Sequence, residues 1–316
     1  MSYESKKKIL LIIDEYGWAF DNITKMIMKY NEKYIINVIT HNEFKKDVIL
    51  NINHCVFFWY DEKNLRILDS ISKNKDIKIS LCLYDYSKWV NNTTKTYKSY
   101  MDKFVNKIDY LLYSCEHILN IFDETYIKKN IIKYPIYDGV DTNLFKFQNY
   151  NDDIYTKPIL NIGWIGNSNK LIHGINKGFD SIKGTINSMS DKFAFIPQDS
   201  HRGKRIKHED IPSYIKNIDI IVCFSLYEGT PNQILEASSS GRCWVSTNVG
   251  IISELNKDKK CGVVIEREIE SLKQSLLYLY ENRELIVKYG LNGRNVTENN
   301  WDWKVRTEQF FKVFEF

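Results

Sequence analysis

Glu228 and Glu236 stand eight residues apart in the run Tyr227-Glu-Gly-Thr-Pro-Asn-Gln-Ile-Leu-Glu-Ala237, and two carboxylates at that spacing can serve one ligand. Pro231 is placed to open a helix, because its fixed φ suits a first turn and that turn has no use for its missing N–H. Glu228 then falls in the loop at the helix start and Glu236 about a turn inside. Eight residues at about 100° each return to within about 80° of the starting direction, so a helix throughout turns both carboxylates one way. The free N–H groups of Thr230, Asn232 and Gln233 would face any anion bound there, and the positive helix end favours phosphate. Alone, this spacing describes two solvated glutamates on a surface helix equally well, so the rest of the chain has to decide.

The elements around it alternate. Lys8–Asp14 reads as a buried strand, Asn22–Tyr30 as a helix, Ile35–Thr40 and Cys55–Trp59 as strands, and Leu65–Ser72 as a helix. Strand Ile77–Leu83, helix Tyr97–Val105 and strand Tyr110–Ser114 follow. Turn formers over Lys133–Asp141 and a polar stretch over Phe147–Lys157 suggest a domain boundary near residue 150. Alternation then resumes: strand Ile159–Ile165, helix Lys177–Ser188, strand Phe193–Pro197, helix Pro212–Lys216, strand Ile218–Phe224, helix Asn232–Ser239 and strands Cys243–Thr247 and Val263–Ile265. A helical tail runs from Ile269 to the end, with a break near Asn299–Asn300. Strand–helix alternation of this kind means parallel sheets with helices on both faces, so two doubly wound halves are expected, with a ligand at the carboxyl ends of their strands.

Composition bounds the partners. The chain has 316 residues, room for two domains, and its 44 basic against 40 acidic side chains give a net charge of +4, too mild to demand nucleic acid. The six cysteines form no C-x-x-C pair, as expected of reduced thiols in an intracellular protein. The apolar run Ile9–Ile13 is too short for a signal peptide or a membrane span, which takes about 20 residues. Asn92-Thr93-Thr94 is then a chance glycosylation match. A cytoplasmic location follows as the expectation. The runs Lys6–Lys8, Lys45-Lys46 and Lys128-Lys129 leave open a peripheral contact with the inner membrane face or a polyanion, although each also suits plain solvated surface.

With Ser240-Gly241, Val245-Ser-Thr-Asn-Val-Gly250 and Glu254 after it, the Glu228–Glu236 run resembles the C-terminal half of the family 4 retaining glycosyltransferases. His208-Glu-Asp-Ile-Pro-Ser-Tyr214 and Ile218-Asp219 resemble the helix and strand that lead into that motif. Gly163-Trp-Ile-Gly166 with Lys177-Gly178 resembles the family's glycine turn and phosphate-binding lysine. Tyr137-Asp-Gly-Val-Asp141 with Phe145 resembles its interdomain junction, and Trp301-Asp-Trp303 the aromatic position before its last helix. The likeness covers residues 137–316 in motifs and 1–136 in layout.

What the resemblance implies is a GT-B fold: two Rossmann-like domains facing a cleft, residues 1–150 on the acceptor side and 151–300 binding the nucleotide sugar. A last helix, 301–316, would cross back onto the first domain. It implies that Lys177 neutralises the donor diphosphate beside backbone N–H groups around Thr230, Pro231 and Asn232, that Glu236 binds the ribose hydroxyls, and that Glu228 positions the transferred sugar. Gly17 would approach the diphosphate with Gly166, and Asp85 would stand near the sugar. One position departs: the family has an arginine just after the glycine turn, where this chain has Asn167, so Lys170 or the basic loop of Arg202, Lys204, Arg205 and Lys207 is left to supply the charge.

The reaction so implied is retaining transfer from a nucleotide-diphosphate sugar, a UDP-sugar by default, to a glycan, lipid-linked or other hydroxyl acceptor. No cofactor and no metal are expected, and the chain has no Asp-x-Asp, the usual metal signature of the other large glycosyltransferase fold. Modified DNA bases are a lesser acceptor class, and a silent nucleotide-sugar or glycan-binding protein or a nucleotide-sugar epimerase are the alternatives. Trp18, Phe20, Tyr84, Tyr86 and Trp89 are candidates for stacking on sugars, or for plain core packing.

Overall fold

The computed structural model describes residues 6–85, 95–126, 131–169, 175–202 and 206–316. Lys170, Lys204, Arg205, Tyr86, Trp89, Asn92-Thr93-Thr94 and Lys128-Lys129 lie outside these, as does the side chain of Arg202.

The chain forms two compact units. One comprises residues 1–138 with 306–316, the other residues 139–305. The first holds a parallel sheet of β1 (Lys8–Ile13), β2 (Ile35–Thr40), β3 (His54–Phe57), β4 (Lys78–Leu83), β5 (Tyr110–Tyr113) and β6 (Ile132–Pro135), in the order β2-β1-β3-β4-β5-β6. Helices α1 (Ala19–Tyr30), α2 (Glu62–Ile71), α3 (Lys95–Val105) and α4 (Glu116–Tyr126) connect them. Strand β1 is a continuous apolar run buried from Ile9 to Ile13, as a central parallel strand covered on both faces must be. Edge strand β2 instead alternates exposed and part-buried residues before burying its last two. Asp61 caps α2 by accepting the Asn64 N–H at 2.8 Å, which fixes where that helix starts.

The second unit repeats the plan with β7 (Leu160–Gly166), β8 (Phe193–Asp199), β9 (Ile220–Cys223), β10 (Cys243–Thr247) and β11 (Val263–Ile265), ordered β11-β10-β9-β7-β8 and parallel throughout. Its helices are a short turn at Ile175–Lys177, α5 (Phe179–Asn187), α6 (Ile211–Ile215), α7 (Asn232–Ser239), α8 (Ile252–Asn256), α9 (Ile269–Glu281) and α10 (Arg283–Val296). A π-helical stretch, Thr297–Trp301, precedes α11 (Trp303–Glu315), at the break read from Asn299–Asn300. Both sheets are wound in the same way, with the chain reversing direction between β1 and β3 and between β7 and β9. In such sheets, the crevice at the carboxyl ends beside that reversal is where ligands bind.

The final helix returns to the first unit. Phe310 packs 6.2 Å from Phe58 and Phe314 lies edge-on to Tyr34 at 5.4 Å. Lys7 donates to the carbonyls of Phe314 and Glu315 at that helix's end, and Lys6 donates to Glu32, so these two lysines anchor main chain.

Three expectations change. The stretch around Lys133 is not a plain break, because Ile132–Pro135 pairs with β5 as the last strand of its sheet; a proline is tolerated at such an edge. The units divide at Asp138 and Gly139 rather than near residue 150. The segment between belongs to the second unit, with the Gln148 N–H on the Ser240 carbonyl and the Tyr150 hydroxyl on the Asp219 carbonyl. The helix read over Lys177–Ser188 is interrupted at Gly178, where φ is +66°.

All six cysteines are buried, and among the described residues none is in a disulfide. Among the described residues, no helix is long and apolar enough to cross a membrane.

Candidate active site

The carboxyl ends of β7 and β9 gather most of the residues singled out above. Strand β9 runs through Ile220–Cys223, buried at every position, and gives way at Ser225 to an irregular loop that ends in α7. Lys177 Nζ meets Glu228 Oε1 in that loop at 2.5 Å, and the Ser225 hydroxyl donates to the same oxygen at 2.7 Å. The lysine and glutamate side chains keep only 22% and 12% of their surface exposed, so the pair sits in a largely dry setting where its charges are strong. Burial works to lower the Lys177 pKa, but the Glu228 carboxylate outweighs it and holds the ammonium above its ordinary value.

Local chemistry fixes this geometry. Gly178 follows Lys177 with positive φ, and a Cβ there would lie 2.6 Å from the Phe224 carbonyl oxygen, so only glycine lets the turn come this close. Asn176 pins the opposite loop: its Oδ1 accepts the N–H groups of Leu226 and Tyr227, and its Nδ2 donates to the Tyr227 carbonyl. Gly250, at φ +55°, lets the turn after β10 touch the same loop, where a Cβ would stand 2.2 Å from the Gly229 oxygen. Gln233 ties helix to sheet by accepting the Ile165 N–H at 3.0 Å.

Glu228 is not helical, so the angular estimate that placed both carboxylates on one helix side does not apply. The helix begins at Asn232, directly after Pro231, and Glu236 is its fifth residue. The Glu236 side chain is 10% exposed, and its Oε1 lies 3.0 Å from His208 Nε2. Burial raises the Glu236 pKa, with His208 working against that rise. The hydrogen bond to Glu236 raises the His208 pKa in turn, against its own partial burial. Thr230 Oγ1, just before the helix, is buried and has no hydrogen-bond partner among the described residues, an unmet capacity that a ligand or water ordinarily fills.

Gly166 ends β7, and Asn167 opens the next turn by accepting the Asn169 N–H at 2.9 Å. That turn is held by Asp199, which accepts from the Ser168 N–H and hydroxyl and from the His201 N–H. Asn167 is thus a turn former where the resemblance calls for a cation. Of the basic loop, Lys207 is described and lies 3.5 Å from Glu209, with its side chain 77% exposed.

Gly17 and Asp85 belong to the first unit. Gly17 is exposed at φ +81°, has nothing within 4 Å of a built Cβ, and donates its N–H to Asp21 Oδ2 at 2.7 Å. The Asp85 carbonyl accepts from the Tyr60 hydroxyl at 3.3 Å. Phe20 stacks within a ring cluster, 5.6 Å from Phe58 and 5.3 Å from Tyr84, whereas Trp18 stays 62% exposed. Packing therefore accounts for Phe20 and Tyr84.

Residues 195–296 match the family model described as Glycosyl transferases group 1. That stretch carries the signature of a group 1 glycosyltransferase. An uncharacterized glycosyltransferase of Methanocaldococcus jannaschii is 22% identical over 95% of this chain and 76% of its own length. Sucrose-phosphate synthase from Thermosynechococcus elongatus superposes with a TM-score of 0.73 at 10% identity, over 98% of both chains. Anabaena HepE, solved with UDP and glucose, gives 0.72 at 11% identity, over 98% of this chain and 99% of its own. The fold is GT-B, and the group 1 segment runs from β8 to the end of α10, so it contains Glu228, Glu236 and His208 while Lys177 precedes it.

Sequence reasoning missed Ser225, Asn176, Asp199 and the His208–Glu236 contact. Asn176 stands beside Lys177 and gave a positional hint. His208 and Glu236 are 28 residues apart, and no periodic pattern joins them.

Proposed function

We propose that this protein is a retaining, metal-independent glycosyltransferase that moves a hexosyl group from a nucleotide-diphosphate sugar, foremost a UDP-sugar, to a hydroxyl on a glycan or lipid-linked acceptor. The observation that carries the reading is the Lys177–Glu228 pair, held beside the start of α7 at the reversal point of the second sheet. Breaking the anomeric C–O bond builds negative charge on the diphosphate and positive charge on the sugar. A lysine ammonium and the N–H groups at a helix start are preorganised for the first charge, and a carboxylate for the second.

In this reading Lys177 leaves Glu228 for the diphosphate when donor binds, freeing the carboxylate for the sugar hydroxyls. The Thr230 hydroxyl takes a phosphate oxygen just before Pro231, whereas the Asn232 N–H, expected to be free, already donates to the Thr230 carbonyl at 2.9 Å. Gly166 and Asn167 line the turn opposite, and Glu236 takes the ribose. Attack on the face the diphosphate leaves, with a departing phosphate oxygen accepting the acceptor's proton, returns the original anomeric configuration. Gly17 is assigned to the donor diphosphate and Asp85 to the transferred sugar. HepE, solved with UDP and glucose, lends UDP its priority.

A panel of nucleotide sugars tests this by thermal shift and by sugar release in the presence of a chelator, with NMR of the product anomer. Stabilisation by one donor, turnover without added metal and a retained anomer support the reading. Absence of binding by every donor overturns it. Asn167, a turn residue in a cation's place, favours one second reading, a nucleotide-sugar-binding protein without turnover. Binding with no sugar release, even with acceptors supplied, would identify that protein.

A further inference from the structure

We propose that His208 is a positioning residue for the nucleotide ribose, holding one oxygen of Glu236 so that the other is turned toward the ribose hydroxyls. The inference rests on the donor reading above and concerns a residue which that reading does not use.

The contact is built from the core outward. Phe145 is 1% exposed, and the His208 ring stands edge-on to it at 5.3 Å. Phe145 is tied to the helix that bears Glu236, since its carbonyl accepts from the Ser239 hydroxyl at 2.8 Å and from Arg294 at 3.1 Å. The imidazole is thereby set against Glu236 by the same segment that seats α7. His208 Nε2 is the side-chain partner of Glu236 among the described residues, and it engages Oε1. An ionised carboxylate has about four lone-pair sites, so capacity remains for two hydroxyl donors. A vicinal diol offers such a pair, and a ribose lacking its 2′-hydroxyl does not.

The charged groups facing His208 are Glu236 from α7, Asp141 from the segment after β6 and Glu209 beside it, with Lys207 paired to Glu209. All three carboxylates favour the protonated ring, whose pKa lies above the usual 6.5. The side chain is 62% exposed and exchanges protons freely. Rising pH therefore strips the charge from the ring and weakens its bond to Glu236, while a neutral ring still donates from Nε2. A charged donor is worth more than a neutral one by enough to change affinity about fivefold.

Calorimetry with UDP and 2′-deoxy-UDP at pH 6 and pH 8.5 tests this on the full chain, comparing wild type, His208→Ala and His208→Gln. The wild type should prefer UDP over the deoxy form, and that preference should shrink at the higher pH, the titration of the shared diphosphate cancelling in the ratio. His208→Ala should weaken UDP about tenfold, as loss of a charge-assisted hydrogen bond does, and weaken 2′-deoxy-UDP, which keeps only the 3′-hydroxyl, distinctly less, so that the preference shrinks. His208→Gln, which keeps an N–H donor without a titrating ring, should retain the preference and lose the pH dependence. Equal weakening of both nucleotides by His208→Ala, or an unaltered preference, overturns the positioning role and leaves the donor reading standing. Failure of the wild type to bind any nucleoside diphosphate overturns both.

Discussion

The two sheets share a winding order and end very differently. At the carboxyl end of the second, polar contacts tether several of the described turns: Asn176 to the Leu226–Tyr227 loop, Gln233 to β7, Asp199 to the turn after it. Two glycines there lie against backbone with no room for a methyl group. At the carboxyl end of the first, no described residue lies within 4 Å of where a methyl group on Gly17 would stand, Trp18 is largely exposed, and Phe20 packs on Tyr84. A shallow recess of about 640 Å³ opens nearby, bordered by Asp14, Glu15, Tyr16, His41, Glu43 and Lys63. A shared winding order therefore does not dictate how stiff a site is. Hydrogen-bonded turns with no spare volume make a frame that fixes charges, which suits a diphosphate, and ring surfaces with open margins suit a partner recognised by contact.

The largest expected effect falls on the stiff end. In the proposed reading, Lys177→Ala lowers kcat/KM for the donor by about 10³-fold, about 4 kcal/mol of transition-state stabilisation. Steady-state kinetics check it, and a loss below tenfold would show that the helix start carries the charge alone. Next comes Gly250→Ala. Its methyl group meets the Gly229 oxygen at 2.2 Å with φ positive, so urea unfolding should show the second unit destabilised by about 3 kcal/mol. An unchanged midpoint would mean that the loop gives way freely and that the contrast in stiffness is absent.

Two histidines sharpen the contrast through pH. His54 in the first unit is buried against Ser80, and burial pulls its pKa down to about 3. The unfolded chain takes up that proton below about 6.5, so the first unit loses stability as pH falls from there toward 3, by up to about 1.4 kcal/mol per pH unit. His208 in the second unit runs the other way: its raised pKa contributes stability that is present below 6.5 and fades as pH climbs through the folded value. Unfolding monitored from pH 4 to pH 9 in wild type and His54→Gln separates them, and an acid limb that survives the substitution would rule out His54 as its source. Smallest is Gly17→Ala. With nothing within 4 Å it pays only for positive φ, about 1 kcal/mol, and a loss near that of Gly250→Ala would erase the comparison.

Much of this was legible along the chain. The run through Ile9–Ile13 and the apolar Ile220–Cys223 announced buried strands, helix Asn232–Ser239 and strand Cys243–Thr247 were read with their observed limits, and the motif around Glu228 marked the site. Other features were not. Strand Ile132–Pro135 was hidden because it is only four residues long and ends in a proline next to turn formers, and only pairing with β5 makes it a strand. The break in the helix at Gly178 was hidden because its cause, the Phe224 carbonyl, lies far along the chain.

The sequence by itself determined the parallel α/β class and the element order, because apolar periodicity and turn chemistry act over a few neighbouring residues, and its resemblance to a known family marked which carboxylates and lysine to suspect. Only the tertiary structure decided that Lys177 is held by Glu228, that Glu236 answers to His208, and that Asn167 closes a turn. Those contacts span 51, 28 and 2 residues. The first depends on how strands β7 and β9 are brought side by side, the second on the Phe145 segment that packs on His208 and is bonded to α7, and the third on which of two open roles, turn former or ligand contact, the folded loop selects.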